Sequence, residues 1–423
     1  MQPLNNFWKE LIVAITPGFA GIGSLLAGTT ADRYGRKPLI ILSSIIFTIG
    51  AILCAVAFDK WLLLFGRVLL GLAIGFASMI VPVYVSESSP THIRGASLAT
   101  FNAMITFGQM AANIFAGLFA FINPDYVGWR KVYHNEEAWI KYELSEISAS
   151  IEEERQCENR VNFIGTVIPL FLVEKLGRKK ILLISSFGVI VSLCMMGGAF
   201  LLVNQDTAAT LSSNGLSSFN SSVKNFDHCE SYSNCDYCVT DDRCGFCAPN
   251  INGKKVPGFC LPINPSGAEG STTGYCSSTF SNSSFYEWGD VYCKTKYTPL
   301  PIIIMVVYLL FFACGMSPVP WILNAEFYPL WARSTAVSIS TSTNWFINLF
   351  VSLTFLSLTE AITKYGTFFF YAGCTFIGTI IFILFVPETK DKSLDEIEAL
   401  FMTKKSRKEF EAKRNQINPD FKI

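Results

Sequence analysis

Apolar runs alternate with short polar turns along most of the chain. Nine hydrophobic segments can be drawn, near residues 11–29, 38–57, 61–83, 97–122, 161–173, 181–203, 299–323, 336–358 and 367–386. A helix needs about 20 apolar residues to cross the hydrocarbon core of a bilayer. Within lipid each backbone polar group must be satisfied inside its own segment, so every run predicts a helix. The fifth, Val161–Val173, holds only 13 residues. That is roughly 20 Å of helix at about 1.5 Å per residue, too short to span unless Cys157–Arg160 joins it.

Basic residues in the short loops orient these helices. Arg33, Arg36 and Lys37 mark one loop as cytoplasmic, Arg94 the next, Lys175, Arg178, Lys179 and Lys180 another, and Arg333 the last. The tail after Pro387 is also rich in Lys and Arg, whereas the opposite short loops hold only Lys60 and Lys364. Alternation then works for all nine helices with the N-terminus outside. No cleavable leader is evident, and an outside N-terminus without one points to a missing first helix.

Two polar signatures each occur twice at the ends of hydrophobic segments. Glu87, Pro90 and Arg94 in PVYVSESSPTHIRG recur with the same offsets as Glu326, Pro329 and Arg333 in PVPWILNAEFYPLWAR. Asp32-Arg33-Tyr34-Gly35-Arg36-Lys37 is echoed by Glu174-Lys175-Leu176-Gly177-Arg178-Lys179. Matched signatures in one order predict a duplicated membrane unit with two pseudo-symmetric halves. Opposed charges at helix ends can lock two helical bundles in one state and release them in another. Asp32, Arg33, Arg36, Glu87, Arg94, Glu174, Arg178, Glu326 and Arg333 are therefore candidates for a cytoplasmic gate. Holding the loops inside is the plainer role for the same basic residues.

Residues 204–297 lie outside by this count and hold eight of the 13 cysteines: Cys229, Cys235, Cys238, Cys244, Cys247, Cys260, Cys276 and Cys293. They also hold two glycosylation sequons, at Asn220 and Asn282. An even cysteine count in an outside, Ser/Asn-rich stretch reads as a disulfide-stapled module of undetermined pairing. The Cys235/Cys238 and Cys244/Cys247 pairs also have the look of a zinc site, but structural zinc needs reduced thiolates, so no metal is expected. Asp32 and Glu87 are 55 positions apart, Glu174 and Glu326 152. The excess is about the length of this loop, which is thus an insertion. Its first-half counterpart is the turn Phe58-Asp59-Lys60.

Polar groups inside the helices are few and therefore informative. Arg67 is the one clear intramembrane cation; it either meets an acid or water-filled cavity, or snorkels outward from six residues inside its helix. Gln109, Asn344 and Asn324 carry amides, and Trp321 follows the Pro318/Pro320 break. Amides bond hydroxyls both ways and an indole covers an apolar C–H face, which suits a polyhydroxylated ring. Hydrogen bonding between helices is the other use of such amides.

Composition narrows the class further. At 423 residues, 51% hydrophobic and only 16% charged, with mean hydropathy +0.37, this is a polytopic membrane protein. Zero net charge argues against a nucleic-acid partner. The three histidines, His92, His134 and His228, all lie in loops. No nucleophile constellation stands out, so neither an enzyme nor a cofactor is expected.

The chain resembles the sugar-porter family of the major facilitator superfamily. The matching strings are GTTADRYGRK, PVYVSESSPTHIRG, FGQ at Phe107–Gln109, VEKLGRKK, SPVPW, EFYPLWARS, NW at Asn344–Trp345, and PETK at Pro387–Lys390. FYPLWARS, VSLTFLSLTE and the cysteine insert are most similar to the proton-coupled, inositol-carrying members. The pattern Cys229–Cys247 resembles a plexin–semaphorin–integrin module. The resemblance implies an all-α membrane protein: a major facilitator fold of two pseudo-symmetric helical halves, about nine of twelve helices present, with a small disulfide-rich extracellular insert. It implies proton-coupled uptake of myo-inositol or a related polyol or hexose by alternating access, across the plasma membrane. Gln109, Trp321 and Asn344 would face the substrate, and Arg67 would serve coupling, while Asn324 stays a substrate candidate on its amide chemistry alone. The expected segments are an N-terminal half at 1–130, a polar linker at 131–160, the start of the second half at 161–203, the insert at 204–297, the rest of the second half at 298–390 and a cytoplasmic tail at 391–423.

The departures from the family pattern are specific. The first helix with its aspartate, the PESPRWL signature and the QQ-x-x-G-x-N motif of helix seven are absent. Trp129-Arg130, which resembles the start of family helix six, runs straight into Lys131–Arg160, a polar stretch with eight glutamates. Helices one, six and seven are thus expected to be missing and helix eight shortened, through splicing or an incomplete gene model. Polar faces around Gln109 and Asn344 would then open to lipid at several kcal/mol per unsatisfied group, and transport is expected to be poor. The alternative function is a membrane-anchored, non-transporting protein whose cysteine module binds an extracellular protein partner.

Overall fold

A computed structural model describes residues 6–122, 163–212, 223–249, 256–264, 270–277, 285–289, 293–390 and 392–402, apart from isolated positions within those stretches. All nine expected segments are mostly helical where described. They are α1 (Asn6–Tyr34), α2 (Arg36–Ala55), α3 (Lys60–Ser88), α4 (Arg94–Ile122), the described positions between 163 and 176, α5 (Arg178–Asp206), a broken helix near 299–326, and two more. The linker at 131–160, Glu174 and both sequon asparagines lie outside the described residues.

Two insert helices, α6 (Phe226–Glu230) and α7 (Cys235–Cys238), precede α8 (Pro299–Phe311). A π-helix at Phe312–Met316 separates α8 from α9 (Pro318–Glu326). Proline at the first position of α9 has no amide proton to extend the preceding helix, which accounts for the break. Then come α10 (Arg333–Ile362), α11 (Lys364–Phe385) and a short α12 (Leu394–Phe401). Among the described residues, five helical stretches are long and apolar enough on their own to cross a membrane: Arg36–Ala55, Lys60–Ser88, Arg178–Asp206, Pro299–Glu326 and Lys364–Phe385. Exposed Ile377, Ile380, Ile381, Leu384 and Phe385 on α11 would be untenable in water and suit lipid contact.

The chain forms two compact units. The first comprises residues 1–188, 309–353 and 378–423. Small residues let its helices approach closely. A Cβ on Gly23 would stand 2.6 Å from the Leu72 carbonyl oxygen, one on Gly71 2.5 Å from that of Thr16, and one on Gly75 would strike Ala20. These contacts seat α1 on α3. Serine hydroxyls bonded to backbone carbonyls join the halves. Ser338 of α10 donates to the Ser24 carbonyl at 2.6 Å, and Ser342 to that of Gly21 at 3.0 Å. One apolar core joins Ala27, Ala31 and Leu39 with Phe76, Met79, Ile80, Val83 and Val337; a second joins Leu98 and Ala99 with Val173, Ile181, Leu182 and residues of α9.

The second unit comprises residues 189–308 and 354–377 and contains the insert. Its sheet has order β2-β1-β3, both pairings antiparallel, from β1 (Cys244–Pro249), β2 (Phe259–Pro262) and β3 (Tyr286–Gly289). All eight cysteines pair: Cys229–Cys244, Cys235–Cys293, Cys238–Cys260 and Cys247–Cys276. The bridges themselves, with Phe246 and Val239, form the module's core. A module this small buries too little apolar surface to dispense with such staples. Among the described residues no metal-ligating cluster occurs. Within this unit Asp236 of α7 meets Lys364 at 3.1 Å and accepts from Asn204 at 3.1 Å.

Candidate transport site and cytoplasmic charge cluster

The glycine of each Gly-Arg-Lys turn has a positive φ. Gly35 has φ 84° and Gly177 φ 92°, and each is followed at once by Arg-Lys opening a helix. That left-handed backbone favours glycine. The turn in each half therefore delivers one arginine, Arg36 or Arg178, to the helix start.

Arg36 sits at the centre of the first-half cluster. Its guanidinium lies 3.3 Å from Glu87 and 3.8 Å from Asp32, and donates to Ser334 Oγ at 3.2 Å. Glu87 is shared: its other oxygen lies 3.8 Å from Arg333. Arg333 is buried and also donates twice to the Tyr328 carbonyl, at 3.1 and 3.2 Å. The first and second halves are thereby joined through Glu87. In the second half Arg178 pairs with Glu326 at 3.6 Å, each side chain 1% exposed. Arg94 is buried beside Arg333, as another positive neighbour. Arg33 is exposed, over the Tyr34 ring, and joins no ion pair among the described residues.

Some members of this cluster escape the sequence signatures. Glu388 accepts from the backbone amides of Arg178 (2.9 Å), Lys179 (3.2 Å), Thr389 (3.0 Å) and Lys390 (3.1 Å). It thus satisfies amides at the start of α5, where a carboxylate is favoured by the helix dipole. Thr389 donates to Glu326 at 2.7 Å. The only sequence signal for either was the PETK string.

The amide residues stand differently. Gln109 on α4 and Asn344 on α10 are exposed, Asn324 on α9 is half-buried, and none of the three makes a hydrogen bond among the described residues. Trp321 meets Phe101 edge-to-face at 6.4 Å. No hydrogen bond or ring contact joins the four to one another. Neighbouring Trp345 instead donates to Ser78 at 3.1 Å. Arg67 is half-buried and has no ion pair among the described residues.

Comparison with known proteins bears on what this arrangement does. The profile of a family described as "Sugar (and other) transporter" matches residues 4–139, 159–219 and 270–401. The proton myo-inositol cotransporter hmit-1.1 of Caenorhabditis elegans is 41% identical, over 98% of this chain and 86% of that protein. The human proton myo-inositol cotransporter is 31% identical, over 94% of this chain and 76% of that protein. The first alignment runs over 529 positions against 423 residues here, so more than a hundred of them stand opposite no residue of this chain. Among solved structures, the major facilitator proton:xylose symporter XylE bound to 6-bromo-6-deoxy-D-glucose matches with a TM-score of 0.61 at 17% identity. That match covers 94% of this chain and 90% of that one. At that identity the likeness establishes the fold alone.

Proposed function

The chain belongs to the sugar (and other) transporter family of multi-pass membrane proteins, and from that premise we propose that it is a proton-coupled carrier of myo-inositol or a closely related polyol. The observation that carries this reading is the 41% identity, over nearly the whole chain, with a proton myo-inositol cotransporter. The residues present are compatible with it. Gln109, Asn324 and Asn344 offer amides that make no hydrogen bond among the described residues, able to donate to and accept from ring hydroxyls. Trp321 supplies an indole for the C–H face. Glu87, bound to Arg36 in one half and Arg333 in the other, acts as the gate contact whose release lets the cytoplasmic ends part. Arg67 is the cation assigned to proton coupling.

A second reading rests on the positions of the relative that have no counterpart here. If those positions hold cavity-lining helices, the chain anchors its cysteine module at the surface for an extracellular protein partner and does not transport. The deciding experiment is uptake of radiolabelled myo-inositol by cells that lack it, with the chain's surface presence verified. Transport predicts saturable uptake that rises as the outside medium is made mildly acid. Gln109→Ala and Asn344→Ala should each lower it about tenfold, the equivalent of roughly one good hydrogen bond. Surface-expressed chain without uptake selects the second reading.

A further inference from the structure

α4 carries a polar line that neither the duplicated signatures nor the substrate argument absorbs. Asn102 and Thr106, one turn apart, are both buried. Each reaches a residue of the second half. Asn102 Nδ2 donates to Ser317 Oγ at 2.9 Å, and Ser317 Oγ lies 3.3 Å from Asn102 Oδ1, to which it can donate. The Thr106 and Thr166 hydroxyls are 2.8 Å apart, both buried. Gln109 continues the line outward from the cytoplasmic start of α4. Two aromatic pairs flank it and join the same elements: Phe101 with Trp321 at 6.4 Å, and Phe107 with Phe163 at 5.5 Å.

The chemistry of these contacts suits parting. Thr106 Oγ1 also lies 3.0 Å from the Ala103 carbonyl, and Thr166 Oγ1 donates to that of Phe163 at 2.8 Å. Each hydroxyl therefore keeps an acceptor in its own helix when the bond across is broken, and no buried polar group is orphaned. Ser317 lies at the junction between the π-helix and α9, and its amide bonds the Phe312 carbonyl at 2.9 Å. A helix interrupted there by Pro318 and a π-turn can bend at that point with few backbone bonds to lose. Asn102 is the exception. Its amide has Ser317 as its one partner among the described residues, so water must replace that hydroxyl once the two part. A fully apolar seam would resist such wetting; this one accepts it at a single point.

We infer that Asn102–Ser317 and Thr106–Thr166 form a hydrogen-bonded latch, on the cytoplasmic side of Gln109, that holds the two halves together and opens when the carrier turns inward. The inference rests on the alternating-access reading, but its test does not use transport. Ala99, fully buried one turn nearer the cytoplasm and packed in the core that includes Val319, Ile322 and Leu323, is the reporter position. Ala99→Cys is placed in full-length protein whose Cys54, Cys157, Cys194, Cys314 and Cys374 are serine, reconstituted in lipid nanodiscs. Alkylation by a small maleimide is then timed. Thr106→Val and Ser317→Ala should each speed labelling about fivefold, the ratio expected for losing one modest hydrogen bond. Thr106→Ser, which keeps the hydroxyl, should leave the rate unchanged. The double variant Thr106→Val/Thr166→Val, which removes both hydroxyls, should label as fast as Thr106→Val. Unchanged rates in Thr106→Val and Ser317→Ala overturn the latch. Equal acceleration by Thr106→Ser, or a slow double variant, also overturns it, because either result reports general loosening or an orphaned hydroxyl.

Discussion

Arg178 and Glu326 show how burial changes the worth of a charge. Their side chains are each 1% exposed and 3.6 Å apart, and Thr389 satisfies the second carboxylate oxygen. Removing Arg178 leaves the buried Glu326 carboxylate without its guanidinium in a medium that solvates it poorly. Arg178→Ala should therefore cost about 3–5 kcal/mol of stability. Asp32 faces Arg36 at 3.8 Å with half its side chain exposed, so Asp32→Ala should cost less than about 1 kcal/mol. Thermal unfolding in detergent compares the two; equal losses would refute the ranking. The sequence signatures put both residues in one class. Burial separates them, and burial depends on neighbours more than a hundred positions away.

At the scale of the element, the Gly-Arg-Lys turn is the repeated unit. Gly35 and Gly177 both have a positive φ, but their surroundings differ. A Cβ on Gly35 meets nothing within 4 Å, whereas one on Gly177 would stand 2.6 Å from the Glu388 carboxylate that caps α5. Gly35→Ala should cost only the conformational strain of a φ of 84° with ψ of 169°, about 1–3 kcal/mol. Gly177→Ala should cost more, because it also displaces the cap, and should expose the start of α5. Hydrogen exchange of the Arg178 and Lys179 amides, faster in Gly177→Ala and unaltered in Gly35→Ala, is the expected pattern. The duplication was legible because a six-residue string repeats. The cap was not, because Glu388 is 210 positions from the amide it accepts.

At the scale of the whole molecule, the disulfide-stapled insert is a module with its own sheet and core. Its Asp241 is buried, which opposes ionisation, but hydrogen bonds from Arg243, His228 and Tyr232 outweigh that and hold its carboxyl well below the usual carboxylate range. A carboxyl with a depressed folded-state pKa contributes stability that is complete above its unfolded pKa. That stability is lost progressively as the pH falls below the unfolded pKa and through the depressed value. The module should thus resist protease equally in neutral and mildly acid medium. Asp241→Asn, which removes the charge that these donors hold, should be cut faster in both. Acid sensitivity of the unmutated module in the mildly acid range would contradict this account.

The sequence by itself determined the helices, the two-half duplication and the disulfide-rich nature of the insert. Each of these rests on local physics: apolar run length, repeated strings and cysteine count. Tertiary structure alone decided the partners. It decided that Cys235 pairs with Cys293 and not with nearby Cys238. It also decided that Arg36 and Arg333 share Glu87, and that α4 meets the second half through Asn102 and Thr106. The physical reason is that hydrogen bonds and ion pairs act over a few ångströms. Which groups come that close depends on how helices distant in sequence pack, and side-chain chemistry alone leaves that choice open.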